Sequence, residues 1–429
     1  MMHRILLVVC ACGVCLSLES PASAQVRLSL KEAEMRALDT HPLIRASQDV
    51  ALAAGQVVRE TKSAYYPTAF ANITGAGAED GSRITAGALN NPSIFDRFAT
   101  GVIVSQLVTD FGRTGHLVQG QTLRADAQEQ DVTTRKAQVL LQVDRAYFNA
   151  LGTQAVLKVA QQTVEARQLV TDQVDTLAAS GLKSSLDASF ARVNLSQAKL
   201  LLVEATNDVQ AAFATLTAAL GSTQVAAYDL QDEPLAPPPP DDGTSLVAQA
   251  LRDRPDIATR RLSRDAASKF AAAERALWFP TVSAVGAAGV TPYRQTGLTD
   301  HYSAAGFNVA VPLTNGNLYS ARHAEALLRA QAEDEAVREI EAEVTRDVSL
   351  AWLSVRTAYQ KMDLTNQLLM QASDALELAQ ARYDLGLSSI VELTQAQLNK
   401  TAAEIEVART RYDYQVRSVA LRFQIGALR

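Results

Sequence analysis

The 429-residue sequence is poor in cysteine and in aromatic side chains. Its three cysteines, Cys10, Cys12 and Cys15, all lie near the start, and Phe, Trp and Tyr together make up 6% of the chain. Disulfides and thiolate metal sites are therefore excluded from residue 16 onwards. Few aromatics beside abundant alanine favour long, closely packed helices over a compact core.

Charge and motifs argue against nucleic-acid binding and catalysis. The net charge is -6, and no basic stripe is present to neutralise phosphates. Gly75-Ala76-Gly77 lacks the third glycine of a nucleotide loop, and no serine lies in a nucleophile elbow. We therefore expect no catalytic, cofactor-binding or metal-binding residues and no nucleic-acid partner. The histidines that follow residue 24 are too widely spaced to form a metal-binding pair: His41, His116, His301 and His323.

Residues 1–24 are typical of a signal peptide. Arg4 supplies the positive start, residues 5–18 are apolar, and Ala22-Ser23-Ala24 fits the small-x-small pattern of a cleavage site. We expect cleavage before Gln25. A retained membrane anchor is one alternative, but its apolar run is shorter than the ~20 residues that a spanning helix needs. A lipoprotein signal with an acylated cysteine is another, although the apolar stretch before Cys10 is short.

The sequence then repeats itself. The segment Ala37–Ile44 resembles Ala250–Ile257, and Pro67 matches Pro280, both at an offset of 213. Further along, the offset is 205, as in Gly181 with Gly386. These matches predict two structural repeats, at 25–232 and 244–429, joined by the proline-rich residues 233–243. Such a run favours a stiff, extended linker.

Long stretches without proline predict long helices. Between Leu318 and Leu385 the sequence has neither proline nor glycine, enough for one helix of about 100 Å. A single glycine, Gly181 or Gly386, then precedes a second helical run in each repeat. Each repeat is therefore predicted to form a long helical hairpin with its tip at that glycine. Heptad positions typical of a left-handed coiled coil run through the second repeat: Val348, Val355, Met362, Leu369, Leu376 and Tyr383.

Two β-hairpins are predicted, at about residues 68–108 and 281–313. Their strands are rich in small and β-branched residues, and near ten residues they have the length of a tilted membrane strand. Four strands do not close a barrel, whereas three chains would supply twelve. A small soluble sheet at the end of a helical rod is the alternative. One strand alternates an apolar set with a polar or small one, the apolar set being Ser303, Ala305, Phe307, Val309 and Val311.

This layout, given twice from about Leu28 to Ile425, resembles the TolC-like outer membrane efflux proteins. The resemblance implies a mainly α fold with transmembrane β: duplicated helical hairpins, and four strands per chain that complete a twelve-stranded barrel in a homotrimer. It also implies a duct in the outer membrane of a Gram-negative cell, crossing the periplasm to an adaptor protein and an inner-membrane pump. The segments that carry it are Leu38–Ile44, Arg254–Ile257, Phe279–Val282, Val311–Gly316 and Ala381–Ser389.

The resemblance also suggests two sets of site residues. Adaptor docking falls on Ser180-Gly181-Leu182 and Leu385-Gly386-Leu387, where glycine and leucine match a Val-Gly-Leu-type family motif and valine is replaced. Acidic rings that narrow the periplasmic end fall on Asp374 and Glu377, which share a helix face, and on Asp172, the counterpart of Glu377. Plain turns and ordinary solvated charges are the alternatives.

Two other functions stay open on the sequence. One is a periplasmic coiled-coil scaffold without a pore, against which the strand pairs argue. The other is a stand-alone passive porin, against which the long hairpins argue. The resemblance covers both efflux and type I secretion, of small molecules or of proteins, because in such assemblies the pump selects the substrate.

Overall fold

The computed structural model describes residues 26–77, 97–224, 228–294 and 299–428. The expected signal peptide, its three cysteines and its cleavage site lie outside these residues. Within the described ranges, helices dominate and no helix is both long and apolar enough to cross a membrane. In chain order the helices are α1 (Leu30–Thr40), α2 (Pro42–Lys62), α3 (Arg113–Ala179), α4 (Ser185–Ala219), α5 (Thr244–Asp253), α6 (Pro255–Arg275), α7 (Leu318–Asp384) and α8 (Ile390–Gln424).

The helices of the two halves match in length. Helices α3 and α7 each contain 67 residues, and α4 and α8 each contain 35. At 1.5 Å per residue the longer pair spans about 100 Å. Prolines at the first position of α2 and α6 start those helices without losing a backbone hydrogen bond.

Local chemistry sets the two hairpin turns. Gly181 and Gly386 have φ of 76° and 72°, a left-handed conformation that ends a helix at little cost only for glycine. Ser184 then caps α4: its hydroxyl accepts from the Asp187 amide, and the Asp187 carboxylate accepts from the Ser184 amide. Ser389 caps α8 in the corresponding place.

The strands form one antiparallel sheet of four and a separate pair. The four-stranded order is β2-β3-β5-β6, so the two hairpins join through β3 and β5, while β1 pairs with β4 in parallel. Strand β6 ends before the expected residue 313, because Pro312 has no amide hydrogen to continue a ladder. The strands are β1 (Val26–Leu28), β2 (Thr68–Ala76), β3 (Arg97–Thr109), β4 (Tyr228–Leu230), β5 (Thr281–Tyr293) and β6 (His301–Ala310).

Both β-hairpins have the same register. Thr68 is paired with Ser105 in the first hairpin, and Thr281 with Ala310 in the second. Thr281 lies 213 residues after Thr68 and Ala310 lies 205 residues after Ser105, the same offsets that relate the two halves of the sequence. The two repeats therefore share geometry as well as sequence landmarks.

The helical rod is held together by stripes of small and β-branched side chains. On α7, Val348, Val355 and Tyr383 are buried at heptad spacing, beside a parallel row of Ala358, Thr365, Ala372 and Ala379. Small residues let the helices approach closely. Helix α6 contacts both α3 and α7, whereas its counterpart α2 makes extensive contacts with α3 alone.

The proline-rich segment between the repeats is tied to the second hairpin. The Trp352 indole donates to the carbonyl of Pro240 (2.9 Å), and the Tyr414 hydroxyl donates to that of Pro237 (2.5 Å). The Gln415 amide donates to the carbonyl of Pro234 (2.8 Å). These bonds fix the segment against α7 and α8.

Candidate functional site

The two hairpin tips have the same turn and leave leucines in solvent. The amide of Leu182 donates to the Leu177 carbonyl (2.9 Å), and the amide of Leu387 donates to the Arg382 carbonyl (2.8 Å). In both, the chain turns back after its glycine. The side chains of Leu182, Leu385 and Leu387 are 72%, 74% and 68% exposed. Each tip therefore presents uncovered apolar surface at the far end of a long helix.

The two tips of one chain lie side by side. The Lys183 ammonium sits 3.8 Å from the centre of the Tyr383 ring and 3.4 Å from the Tyr383 carbonyl oxygen. Farther from the tips, the Asn194 amide donates to the Thr394 hydroxyl (2.8 Å). Lys183 directly follows the first tip motif, but nothing in the sequence pointed to its partner 200 residues away.

The three acidic candidates are exposed and separate within one chain. Asp374 and Glu377 lie on α7, and Asp172 lies on α3, where it accepts a hydrogen bond from Gln168 (2.8 Å). Within the described residues, Asp172 lies on a different long helix from the other two, and its hydrogen-bond partner Gln168 is on its own helix. A ring of charges at this level would have to come from several copies of the chain.

The four-stranded sheet has two chemically different faces. Its register places Asn72, Ser105, Ser283 and Asn308 on one face. The opposite, more apolar face has mainly aliphatic side chains, as expected next to lipid, although Thr100, Gln106 and Ser303 also lie on it. Phe70, Ile103 and Val285 share the first face. Strands β2 and β6 form the edges and pair with no further strand of the described chain. The apolar face includes Ile73, Val102, Val104, Val282, Val290, Phe307 and Val309.

One ionisable side chain lies in the core near the first short helix. Asp144 on α3 is 0% exposed, and neither of its oxygens has a hydrogen bond of standard geometry in the described chain. Glu34 on α1 and Arg422 on α8 are its charged neighbours. Burial, and next the negative charge of Glu34, raise the pKa of Asp144 to about 8 although Arg422 opposes the shift.

A family model described as "Outer membrane efflux protein" matches residues 35–222 and 246–427. The chain belongs to the outer membrane efflux protein family. The two matched segments fall one in each repeat and together cover most of the chain. The resemblance inferred from the sequence is thereby confirmed.

Individual relatives agree with the family match. The outer membrane protein OprJ of Pseudomonas aeruginosa is 25% identical over 380 residues, which cover 85% of this chain and 78% of OprJ. The pyoverdine export outer membrane protein OpmQ of the same species is 25% identical over 314 residues, covering 72% and 65%. A crystal structure of a membrane protein from Pseudomonas aeruginosa shares the fold, with a TM-score of 0.82, 21% identity and coverage of 94% and 91%.

The membership confirms the predicted fold class and the main function. The protein is an efflux duct of the outer membrane that extends into the periplasm. The scaffold and passive-porin alternatives gain no support from these matches. Among the described residues, no group of three or more potential metal ligands was found.

Proposed function

We propose that three copies of this chain form one closed duct that docks through its hairpin tips on a periplasmic adaptor of an inner-membrane pump. The observation that carries the proposal is that the two ends of the molecule present different surfaces. One end has a sheet with an apolar face and two unpaired edges. The other end, about 100 Å of helix away, presents the exposed leucines of two tips.

The sheet supports the trimer. In lipid, each unpaired backbone group of β2 and β6 would cost several kcal/mol, because no water is present to satisfy it. A closed ring of copies removes both edges. Three copies give twelve strands, an even number that lets neighbouring strands alternate in direction all round the barrel.

The tips support the adaptor. Leu182 and Leu387 follow glycines whose conformation accounts for the turn but not for exposed apolar side chains. Burying one leucine against a partner stabilises a complex by about 1.5–3 kcal/mol. Three copies would present six tips, so that even a modest gain at each tip gives a firm assembly.

We propose that the pump determines which cargo is exported, and that the cargo consists of small molecules or proteins handed on through the adaptor. OpmQ carries pyoverdine export in its name, which favours an export role of this kind for the present chain. The polar sheet face, with Asn72 and Asn308, would line the passage.

Dye efflux in a deletion strain tests the proposal. The strain should accumulate a fluorescent pump substrate, and the plasmid-borne chain should restore efflux only when the pump and adaptor genes are present. Native mass spectrometry of the detergent-extracted protein should show three copies. A monomer, or efflux restored without pump and adaptor, would contradict the proposal.

The acidic residues near the tips should narrow the periplasmic end. Replacing Asp374 and Glu377 with alanine removes two negative charges per copy, and we expect single-channel conductance to rise about twofold or more and cation preference to fall. Asp49→Ala, an exposed carboxylate on α2, is the matched control. If planar-bilayer recordings show the double variant and the control alike, Asp374 and Glu377 are ordinary solvated charges.

A further inference from the structure

We infer that each chain carries a binding pocket for aromatic organic anions at the place where the helices meet the four-stranded sheet. This inference rests on the proposed duct and names a class of cargo that the duct holds in transit. The pocket is a cavity of about 470 Å³, which lies within the size range of small-molecule sites. We call it the junction pocket; its walls include Leu107, Arg113, Phe279, Thr281, Ala310 and Tyr319.

The strand residues of the junction pocket show which side of the sheet it opens on. Thr281 on β5 is paired with Ala310 on β6, and Leu107 on β3 is paired with Ser283 on β5. Residues two apart on a strand share a face, so Leu107, Thr281 and Ala310 all lie on the face of Ser283 and Asn308. This is the face that is proposed to line the passage. The junction pocket therefore opens towards the passage, where cargo can enter it.

The walls of the junction pocket are complete within one chain. Helix α6 packs against both α3 and α7, and the pocket lies between the beginnings of α3 and α7 and the short turn that follows α6. Strands β3, β5 and β6 supply the remaining walls. Each copy in the duct would therefore carry its own pocket, formed without residues from a neighbour.

Arg113 gives the junction pocket a positive charge with unused hydrogen-bond donors. Its guanidinium lies 3.8 Å from Oε1 of Glu274, which is longer than a hydrogen bond. The Arg113 Nε is buried and has no hydrogen-bond partner in the described part of the chain. Glu274, itself 4% exposed, also faces Arg322 at 3.7 Å. One carboxylate thus serves two arginines, and the excess positive charge favours a carboxylate or sulfonate on the ligand.

The acidic side chain in the wall of the junction pocket, Asp110, is already engaged. Its Oδ2 accepts from the Thr114 amide (2.7 Å) and from the Thr114 hydroxyl (2.6 Å), and its Oδ1 accepts from the Gly112 amide (3.2 Å). Asp110 thereby caps the first turn of α3, where the helix dipole offsets its negative charge. Arg113 is left as the charge available to a ligand, and the pocket therefore favours an anion over a cation.

Apolar and aromatic side chains form the rest of the junction pocket. Phe279 is 48% exposed and Val311 is 54% exposed, while Tyr319 is half-buried beside them. An aromatic ring of a ligand gains from contact with such rings beyond the area it buries. A molecule with an aromatic body and one anionic group would satisfy both parts of the pocket, the rings and the Arg113 guanidinium.

Single-channel recordings in planar bilayers test the junction pocket. The probe is 1-naphthoate, and 1-naphthylmethylammonium is its cationic counterpart. In Arg113→Gln the concentration of 1-naphthoate that halves the current should rise about tenfold or more, because a charge-assisted hydrogen bond is lost. Arg36→Gln, at an exposed position of α1, is the matched control.

A second variant tests the pocket without changing a charge. Ala310→Leu fills the cavity from an exposed position of β6 and should also raise the half-blocking concentration of 1-naphthoate about tenfold. Ala304→Leu is its matched control, because Ala304 lies on the same strand and the same face, outside the pocket. If Arg113→Gln fails to assemble, the comparison of these two leucine variants decides.

Native mass spectrometry of each variant separates the possible outcomes. Equal half-blocking concentrations of 1-naphthoate in all conducting trimers would overturn the junction pocket, while the proposed duct stands. If Ala310→Leu weakened the block by 1-naphthylmethylammonium as much as the block by 1-naphthoate, the preference for anions would be wrong. A monomeric original protein that forms no channel would overturn both the pocket and the proposed duct.

Discussion

Replacing Leu182 and Leu387 with glutamate should abolish export and leave a folded, membrane-inserted protein. Both side chains point into solvent in the single chain, so the change removes no internal packing. Gly181 and Gly386 keep the turns. The free energy of docking would become less favourable by about 1.5–3 kcal/mol per tip. Burying the glutamate charge would weaken docking further. Drug susceptibility should therefore match that of a strain lacking the gene, with undiminished protein in the outer membrane.

Leu182→Met with Leu387→Met is the matched control. Methionine keeps the apolar surface at nearly the same volume, and export should stay close to the original level. Susceptibility is measured beside immunoblots of outer-membrane fractions, which separate loss of docking from loss of assembly. Export that persists in the glutamate variant would reduce the tips to turns and place the adaptor elsewhere.

The stability of the folded protein should fall as pH rises from about 4 to about 8, and Asp144→Asn should flatten that fall. Asp144 holds its proton in the fold up to a pKa of about 8, whereas an exposed aspartic acid releases it near 3.9. Between those values the folded state binds the extra proton, so raising the pH favours unfolding. At 1.36 kcal/mol per unit, the loss is on the order of several kcal/mol.

The measurement is the apparent unfolding temperature in detergent from pH 5 to pH 9. The asparagine variant should be more stable than the original protein at pH 9 and lose that advantage at pH 5. Glu34→Gln should make the decline end at lower pH, because without the negative charge of Glu34 the folded-state pKa of Asp144 falls toward its unfolded value. Asp241→Asn, on an exposed linker residue, should follow the original profile. Parallel curves for Asp144→Asn and the original protein would refute the assignment.

The long helices could be read from the sequence because their signal is local. Proline and glycine are absent between Leu318 and Leu385, and α7 occupies nearly that whole stretch. The tips could be predicted as well, because glycine takes the left-handed conformation found at Gly181 and Gly386 more readily than any other residue. Strand ends were harder: the second hairpin was expected to reach about residue 313, but β6 ends at Ala310.

Contacts between distant segments left no such signal. The pairing of β3 with β5 joins segments about 180 residues apart, and an alternating strand pattern does not name its partner. The contact between Lys183 and Tyr383 could not be predicted for the same reason. Asp144 lies in a long helix, where a carboxylate is ordinarily solvated, and only the packing of α1 and α8 over it shows its burial.

Equal helix lengths fix how far the helical rod extends from the sheet. Losing one residue from α3 alone would turn everything beyond it by about 100° and shift one tip by about 1.5 Å against its neighbours. Evolution can therefore change the reach of the duct only in matched steps, such as seven residues from each of α3, α4, α7 and α8, about 10 Å at a time. The connections between strands carry no such constraint, and they already differ in length between the two repeats. Natural variants should keep the length of the helical rod and differ in the connections between strands.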